Sequence, residues 1–210
     1  QAEASSGKEI VIQEGGNKFK IVLGERIDTG IFLDHRIMRS IIQAEAKGKR
    51  VLNLFAYTCT ASVYAAAGGA SRVVSVDTSG RYLDWGRENF RVNGLKCSSR
   101  DFVRQDVMEY LETCKESFDL ILADPPTFSN SKGRKDFSVQ DDYDALVRLA
   151  TDKLSKKGTL YFSNNFTKFR LDPEKLPGVH LEELSDKTIP PNFNRPRSRH
   201  RSWKITKNQP

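Results

Sequence analysis

Phe118-Asp119-Leu120-Ile121-Leu122-Ala123-Asp124-Pro125-Pro126-Thr127-Phe128-Ser129-Asn130-Ser131-Lys132 is the stretch that decides the fold. Its first six residues form an apolar run that reads as a buried strand. The two prolines end that strand. Neither carries an N–H, each fixes φ, and Pro125 pushes Asp124 toward extended geometry. The chain therefore leaves the sheet edge stiffly, with a carboxylate at the tip and hydroxyl, amide and aromatic groups behind it. In an open α/β sheet that tip is where ligands bind. A stiff loop also loses little conformational entropy when a flat base docks on it. Alone, the triplet is equally a proline-terminated strand followed by a polar loop. The rest of the chain has to separate the two readings.

Working outward, strands and helices alternate. Val51–Phe55, Arg72–Asp77 and Asp101–Gln105 read as strands before Phe118–Ala123, and Thr159–Ser163 as one after it. Helical spacing fills the gaps: Thr60–Ala67, closed by Gly68-Gly69; residues 80–92, stopped at Asn93-Gly94; and Asp106 to Cys114. A polar loop over 124–140 precedes a helix of about 14 residues that ends near Lys156-Lys157-Gly158. Such alternation predicts a mostly parallel sheet covered by helices on both faces. Upstream, two β-rich runs flank Glu14-Gly15-Gly16-Asn17 as a hairpin, and residues 35–47 show helical spacing closed by Gly48. Downstream, the tail from about Val179 holds two more candidate strands, one on each side of Pro190-Pro191 and the Arg-rich segment.

The 210 residues suit one large domain, and 38% hydrophobic with 29% charged residues is polar for a globular chain without being a disordered composition. The net charge of +7 is uneven, since Arg195, Arg197, Arg199, His200, Arg201 and Lys204 crowd the end of the chain. No run is long and apolar enough to span a membrane, so nucleic acid is the first partner class to consider. Three cysteines, Cys59, Cys97 and Cys114, lack the pairing of a disulfide framework or the spacing of a zinc site, which fits reduced, cytoplasmic thiols. The start at Gln1, without Met, fits a domain cut from a longer protein.

Chemistry gathers at the strand ends. Asn53-Leu54-Phe55-Ala56-Tyr57-Thr58-Cys59 leads into a helix N-terminus, a place for a nucleotide-type ligand. The loop has no glycine, which argues against a dinucleotide fingerprint and against NAD or FAD. Asp77 ends the second strand, where an acid can accept bonds from both ribose hydroxyls. Asp106 ends the third and can bond an adenine amino group. Each also reads as a helix N-cap. Asn53, Asp77, Asp106 and Asp124 on four strand ends line one edge of one sheet.

These residues resemble the cofactor and catalytic motifs of class I S-adenosylmethionine-dependent methyltransferases. More closely, Asp28-Thr29-Gly30-Ile31-Phe32-Leu33-Asp34-His35-Arg36, the loop 124–132 and Phe162-Ser163-Asn164-Asn165 resemble the RlmK domain of bacterial RlmKL enzymes, which methylates N7 of a guanine in 23S ribosomal RNA. The resemblance runs from about Lys8 to Lys204. It implies a Rossmann-like, seven-stranded, mostly parallel α/β sheet. Residues 1–34 would form an N-terminal hairpin and site-closing segment, and 35–210 the methyltransferase domain, with a second methyltransferase domain on the same full-length chain. It implies roles as well. Asn53, Phe55 and Tyr57 would shape the methionine end of S-adenosylmethionine, with Thr58 also contacting the cofactor; Asp77 would hold the ribose, and Asp106 with Val107 would flank the adenine. Phe32, Asp34 and Arg36 would close the site. Asp124, Pro125 and Pro126 would face the methyl group and the base. The sequence departs from the family at Cys59, where the family has glycine. A Cβ there is expected to crowd the backbone approach to the cofactor, the residue otherwise being a small packing group.

Relatives of this family split into cytosine-C5 and guanine-N7 enzymes. Cytosine C5 is a poor nucleophile and needs a thiolate at C6, supplied in those relatives by a Ser-Cys-Ser at the end of the fifth strand. Here that place reads Ser163-Asn164-Asn165. Guanine N7 carries a lone pair and no proton, so it needs alignment rather than a base or a covalent adduct. Asn164 or Asn165 can bond the guanine edge, and Phe128 can stack on the ring. Lys132, Arg195, Arg197, Arg199, His200 and Arg201 are the expected phosphate contacts. The rival readings are a guanine-N2 or cytosine-C5 enzyme, and an RNA-binding module that has lost its cofactor.

Overall fold

The computed structural model describes residues 7–24, 29–129, 137–166, 168–193 and 200–208. The chain opens with the hairpin β1 (Lys8–Glu14) and β2 (Asn17–Leu23), whose register is closed by the pair Glu14 and Asn17. A 3-10 turn at Leu33–His35 leads into α1 (Arg36–Glu45). The alternating core follows: β3 (Arg50–Leu54), α2 (Thr60–Ala67), β4 (Arg72–Asp77), α3 (Gly80–Val92), β5 (Phe102–Arg104), α4 (Val107–Thr113) and β6 (Phe118–Ala123). A short antiparallel pair, β7 (Phe128–Ser129) with β8 (Phe137–Ser138), then precedes α5 (Val139–Asp152) and β9 (Leu154–Asn164). The last elements are β10 (Val179–Glu183), α6 (Ser185–Thr188) and β11 (Arg201–Lys207).

The main sheet has seven strands in the order β10-β11-β9-β6-β3-β4-β5. β3, β4, β5, β6 and β9 are parallel, and only β11 runs against its neighbours β9 and β10. Period-two alternation sorts the strand side chains between two helical layers. Leu120 and Leu122 pack with Met38 and Ile42 of α1 and Ala61 and Ala65 of α2. Ile121 and Ala123 pack on the opposite face with Leu111 of α4 and Leu146, Val147 and Ala150 of α5. A third cluster joins the hairpin residues Phe19 and Ile21 to Val63, Tyr64, Leu83 and Phe90 on α2 and α3. The outer edge of β2 is satisfied by side chains of α3. Asn93 Oδ1 and Asn89 Oδ1 accept from the Lys18 and Lys20 amides at 2.8 and 2.9 Å, and Trp85 Nε1 donates to the Lys20 carbonyl at 2.8 Å. An unpaired strand edge is thus covered without a third strand.

Two expectations change. The segment 124–140 is not all loop, because β7 and β8 pair within it and α5 starts at Val139. The helix has its 14 residues but ends at Asp152, and β9 begins at Leu154 rather than Thr159. The cause is long-range: Leu154 is buried and pairs with Phe118, and the Phe118 amide donates to the Lys153 carbonyl at 2.8 Å. The parallel strands place the C-terminal ends of β3, β4, β6 and β9 along one edge, and the site lies there.

Candidate active site

The turn after β3 is built from residues that ordinarily avoid its conformation. Phe55, Tyr57 and Cys59 have φ of 55°, 49° and 58°, left-handed values that cost an L-residue about 1–2 kcal/mol each. Hydrogen bonds hold the turn in place. The Ala56 amide donates to the Val76 carbonyl at 3.0 Å, and the Tyr57 amide to Asp77 Oδ2 at 2.8 Å. Asp77 Oδ1 accepts from the Ser79 amide at 2.8 Å, so two backbone donors fix its carboxylate at the end of β4. Burial raises its pKa, opposed by those backbone hydrogen bonds. Its bond to Ser79 is the capping-type contact that the sequence also allowed, and Ser79 itself caps α3.

Cys59 does not crowd the site. Its side chain is fully buried and turned against Gly86 of α3, where an added Cβ would collide with the Cys59 sulfur. The core accepts this side chain because α3 carries no side chain at that point. Burial pushes the thiol up to about 12. Cys59 should therefore resist a thiol-specific reagent in the native protein, while the exposed Cys97 reacts. Peptide mapping after labelling checks this, and Cys59 modified as fast as Cys97 would contradict the packing.

The edge holds a cavity of about 360 Å³, within the general range of ligand pockets. Of the cofactor-binding expectations, Phe32, Asp34, Asn53, Phe55, Tyr57, Asp77, Asp106, Val107 and Asp124 line it, as do Pro125 and Pro126. Asn53 is oriented from behind, since its Nδ2 donates to Ser62 Oγ at 2.9 Å. Asp106 Oδ1 accepts the Met108 and Glu109 amides and so caps α4 while facing the cavity. The space suits an adenosyl cofactor: a fixed carboxylate at Asp77, a second at Asp106, and aromatic side chains in the lining. Phe32 lies 5.2 Å from Tyr57, and Tyr57 lies 4.5 Å edge-on from Tyr82.

Other expected residues stand elsewhere. Thr58 is fully buried and donates from Oγ1 to the Gly30 carbonyl at 2.6 Å, so it holds the loop rather than facing the cavity. Arg36 turns away to Asn192 Oδ1, at 2.6 Å, and over the Phe193 ring. Phe128 is 68% exposed and stands outside the cavity lining. Asn164 is buried, with Oδ1 accepting the Phe166 amide and Nδ2 unpaired, and it is Asn165 that reaches the lining. His200 is 1% exposed, bonded to Thr188 and Asp34, which removes it from the phosphate contacts. Arg201 is committed to Glu183 at 2.8 Å, to the Phe169 carbonyl and to the face of Trp203. Asp28, Lys132, Arg195, Arg197 and Arg199 lie outside the described residues.

The N-terminal segment is fastened to the turn after β3 at Gly30. Its amide donates to Tyr57 Oη at 3.0 Å, and its carbonyl accepts from Thr58. Arg39, almost fully buried, donates to Glu14 Oε1 at 2.9 and 2.7 Å and to the Phe32 carbonyl, tying hairpin, segment and α1 together. At the Asp-Pro-Pro end, Ser163 Oγ donates to Asp124 Oδ1 at 2.7 Å, and His35 Nδ1 lies 3.7 Å from Asp124 Oδ2. Burial holds His35 below its ordinary pKa, against the raising influence of Asp124. For Asp34, burial acts upward, but the hydrogen bond to His200 and the nearby His35 and His200 charges outweigh it and lower the pKa. His35, Tyr82, Phe137 and Met108 also line the cavity. They were not assigned from sequence. Only His35 carried a signal, by standing inside the polar stretch 28–36.

Comparison with known proteins gives a consistent picture. A family model described as S-adenosylmethionine-dependent methyltransferase matches residues 3–193. The chain is 50% identical over 207 residues to the ribosomal RNA large subunit methyltransferase K/L of Pseudomonas fluorescens strain Pf-5, covering 98% of this chain and 27% of that protein. It is 47% identical over 198 residues to the protein of the same name from Psychrobacter sp. strain PRwf-1, covering 93% of this chain and 24% of that protein. The chain thus spans about a quarter of the length of the curated relatives it matches. Among solved structures, SMU.776 complexed with SAH superposes with a TM-score of 0.81 at 30% identity, over 98% of this chain and 56% of that one.

Proposed function

Because the chain belongs to the S-adenosylmethionine-dependent methyltransferase family, we propose that it methylates N7 of a guanine in 23S ribosomal RNA, without a covalent enzyme–base adduct. The observation that carries the choice of atom is the acceptor end of the cavity. It holds Asp124, Pro125, Pro126 and Asn165, and no cysteine lines it among the described residues. A cytosine-C5 reaction needs a thiolate there. Cys59, in the turn after β3, is buried against Gly86 with its pKa raised. The names of the relatives support a large-subunit ribosomal RNA substrate. In this reading the partners are 23S RNA and a second methyltransferase domain in the longer protein, and the enzyme works in the cytoplasm. Among the described residues, no helix is long and apolar enough to cross a membrane.

In this reading residues 1–34 close the site over the methyltransferase unit 35–210. Asn53, Phe55 and Tyr57 hold the methionine end of the cofactor, Asp77 the ribose hydroxyls, and Asp106 with Val107 the adenine. Bound S-adenosylmethionine supplies an electrophilic methyl on sulfur. N7 has its lone pair ready, so no residue removes a proton. The protein's part is to fix the base in line and to favour the charge that appears on it. Alkylated N7 leaves the imidazole ring of guanine cationic. The Asp124 carboxylate, steadied by Ser163, is the group placed to stabilise that charge. The exposed Phe128 offers a stacking face, and Asn165 replaces Asn164 as the amide able to bond the base edge. N7 lies in the deep groove of paired RNA, which side chains hardly enter. The target is therefore flipped out or unpaired. Lys132, Arg195, Arg197 and Arg199 remain the proposed phosphate contacts.

The test is mass spectrometry of nuclease-digested 23S RNA after incubation with the cofactor. 7-Methylguanosine is expected. 5-Methylcytidine or N2-methylguanosine in its place would overturn the assignment of the atom.

A further inference from the structure

Asp34, His35 and His200 come from two segments remote in sequence and converge beside the acceptor end of the cavity. We propose that these three side chains form a binding site for a divalent transition-metal ion of borderline softness, with Zn²⁺ as its probe. Asp34 Oδ2 lies 3.3 Å from His200 Nδ1 and 3.9 Å from His35 Nε2, and one ligand atom from each residue falls within 4.8 Å of the others. Zinc bonds of about 2.0–2.2 Å put neighbouring ligand atoms roughly 3–3.5 Å apart, so the three need only a small contraction. The imidazole rings, with centroids 4.3 Å apart and planes tilted by 40°, suit adjacent coordination positions.

The hydrogen bonds around Thr188 and His200 are compatible with the tautomers that such a site needs. Thr188 Oγ1 has the Leu184 and Ser185 carbonyls at 3.1 and 3.3 Å and can give its single proton to one of them. It then accepts from His200 Nε2 at 3.1 Å, which leaves the Nδ1 lone pair of His200 directed at the Asp34 carboxylate. His35 repeats the pattern. Its Nδ1 faces Asp124 Oδ2 at 3.7 Å, and a proton there leaves the Nε2 lone pair on the Asp34 side. On metal binding the ion takes the place of the proton in the Asp34–His200 hydrogen bond, so that two imidazole lone pairs and a carboxylate face one position. His200 also has the outer hydrogen-bond partner that fixes a metal-bound imidazole, Thr188, while the Asp124 carboxylate stands 3.7 Å from Nδ1 of His35. Arg39, whose charge acts on His35, is engaged by Glu14 and the Phe32 carbonyl. Two imidazoles and one carboxylate favour zinc, iron or manganese over calcium or magnesium. Asp34 and His35 line the cavity, so the remaining coordination positions open toward it.

The experiment uses the 210-residue chain without an affinity tag. Elemental analysis of protein purified without chelator, followed by calorimetric titration of Zn²⁺ into chelator-treated protein, should give about one equivalent bound with micromolar or tighter affinity. Asp34→Asn combined with His200→Gln should weaken binding at least 100-fold, and Thr188→Val about 10-fold. Co²⁺ loading provides a readout that does not depend on the variants folding. It should give visible d–d bands without the intense near-ultraviolet band of thiolate coordination. Three results would each overturn the proposal: no saturable binding of Zn²⁺, Mn²⁺ or Fe²⁺ below about 100 µM, a thiolate band in the Co²⁺ protein, or wild-type affinity in a folded double variant.

Discussion

Asp77→Ala should weaken binding of S-adenosylmethionine by at least about 100-fold, close to 3 kcal/mol. In the proposed reading, charge-assisted hydrogen bonds from two ribose hydroxyls to one carboxylate account for much of that figure. The rest comes from the loop. Asp77 accepts the Tyr57 amide at 2.8 Å, and Tyr57 sits in a left-handed conformation that needs support. Removing the carboxylate both deletes the ribose acceptor and loosens one wall of the cavity. Asp77→Asn separates the two effects, since its amide oxygen still accepts one backbone donor while the charge is gone. Titration calorimetry with the cofactor gives the affinities, and circular dichroism shows that each variant folds. A folded Asp77→Ala protein binding within threefold of wild type would refute the ribose role.

Gly30→Ala is expected to cost about 3–5 kcal/mol of stability. Two independent causes add. Gly30 has φ of +102°, a region that L-residues avoid. A Cβ there would also penetrate the six-membered ring of Trp85, which packs directly on the backbone. For a chain of this size, the melting temperature should fall by roughly 10 °C or more. Trp85→Ala in the same molecule removes the collision but not the strain, so it should restore the Gly30→Ala protein only in part. Scanning calorimetry of the single and double variants checks both statements. A Gly30→Ala protein melting within 2 or 3 °C of wild type, below the roughly 10 °C loss expected, would show that the segment is not clamped as described. The same change should also reduce cofactor affinity, because the Gly30 amide and carbonyl hold Tyr57 and Thr58.

Local signals in the sequence were faithful where local physics dominates. α2, β4, α3 and β6 begin and end where periodicity, glycine and proline place them. The hairpin and both late strands were readable for the same reason. The edge of polar side chains at Asn53, Asp77, Asp106 and Asp124 followed from alternation alone, because parallel strands must end on one side. Long-range packing escaped. The early start of β9 depends on Leu154 meeting Phe118. The left-handed trio Phe55, Tyr57 and Cys59 hides in a sequence without glycine, and Cys59 fits only because Gly86 stands opposite. His200 stands next to a run of arginines in sequence, and its charge type drew it into the phosphate contacts. Its surroundings in the fold are Thr188 and Asp34 instead, 12 and 166 residues away. Likewise Asn165, not its buried neighbour Asn164, reaches the cavity, a difference of one residue at the frayed end of a strand.

The position of β11 has a consequence for how the molecule is made. It is last in the sequence among the strands but sits inside the sheet, between β10 and β9. While a ribosome is still adding residues before Arg201, β9 lacks its antiparallel partner, and β10 has no strand to pair with. The contact between His200 and Asp34 spans 166 residues and forms only when both ends of this segment are available. Pairings of such long range are slow to form and leave hydrophobic strand edges exposed meanwhile. Completion of the sheet and of the His200–Asp34 contact is therefore tied to synthesis through Lys207.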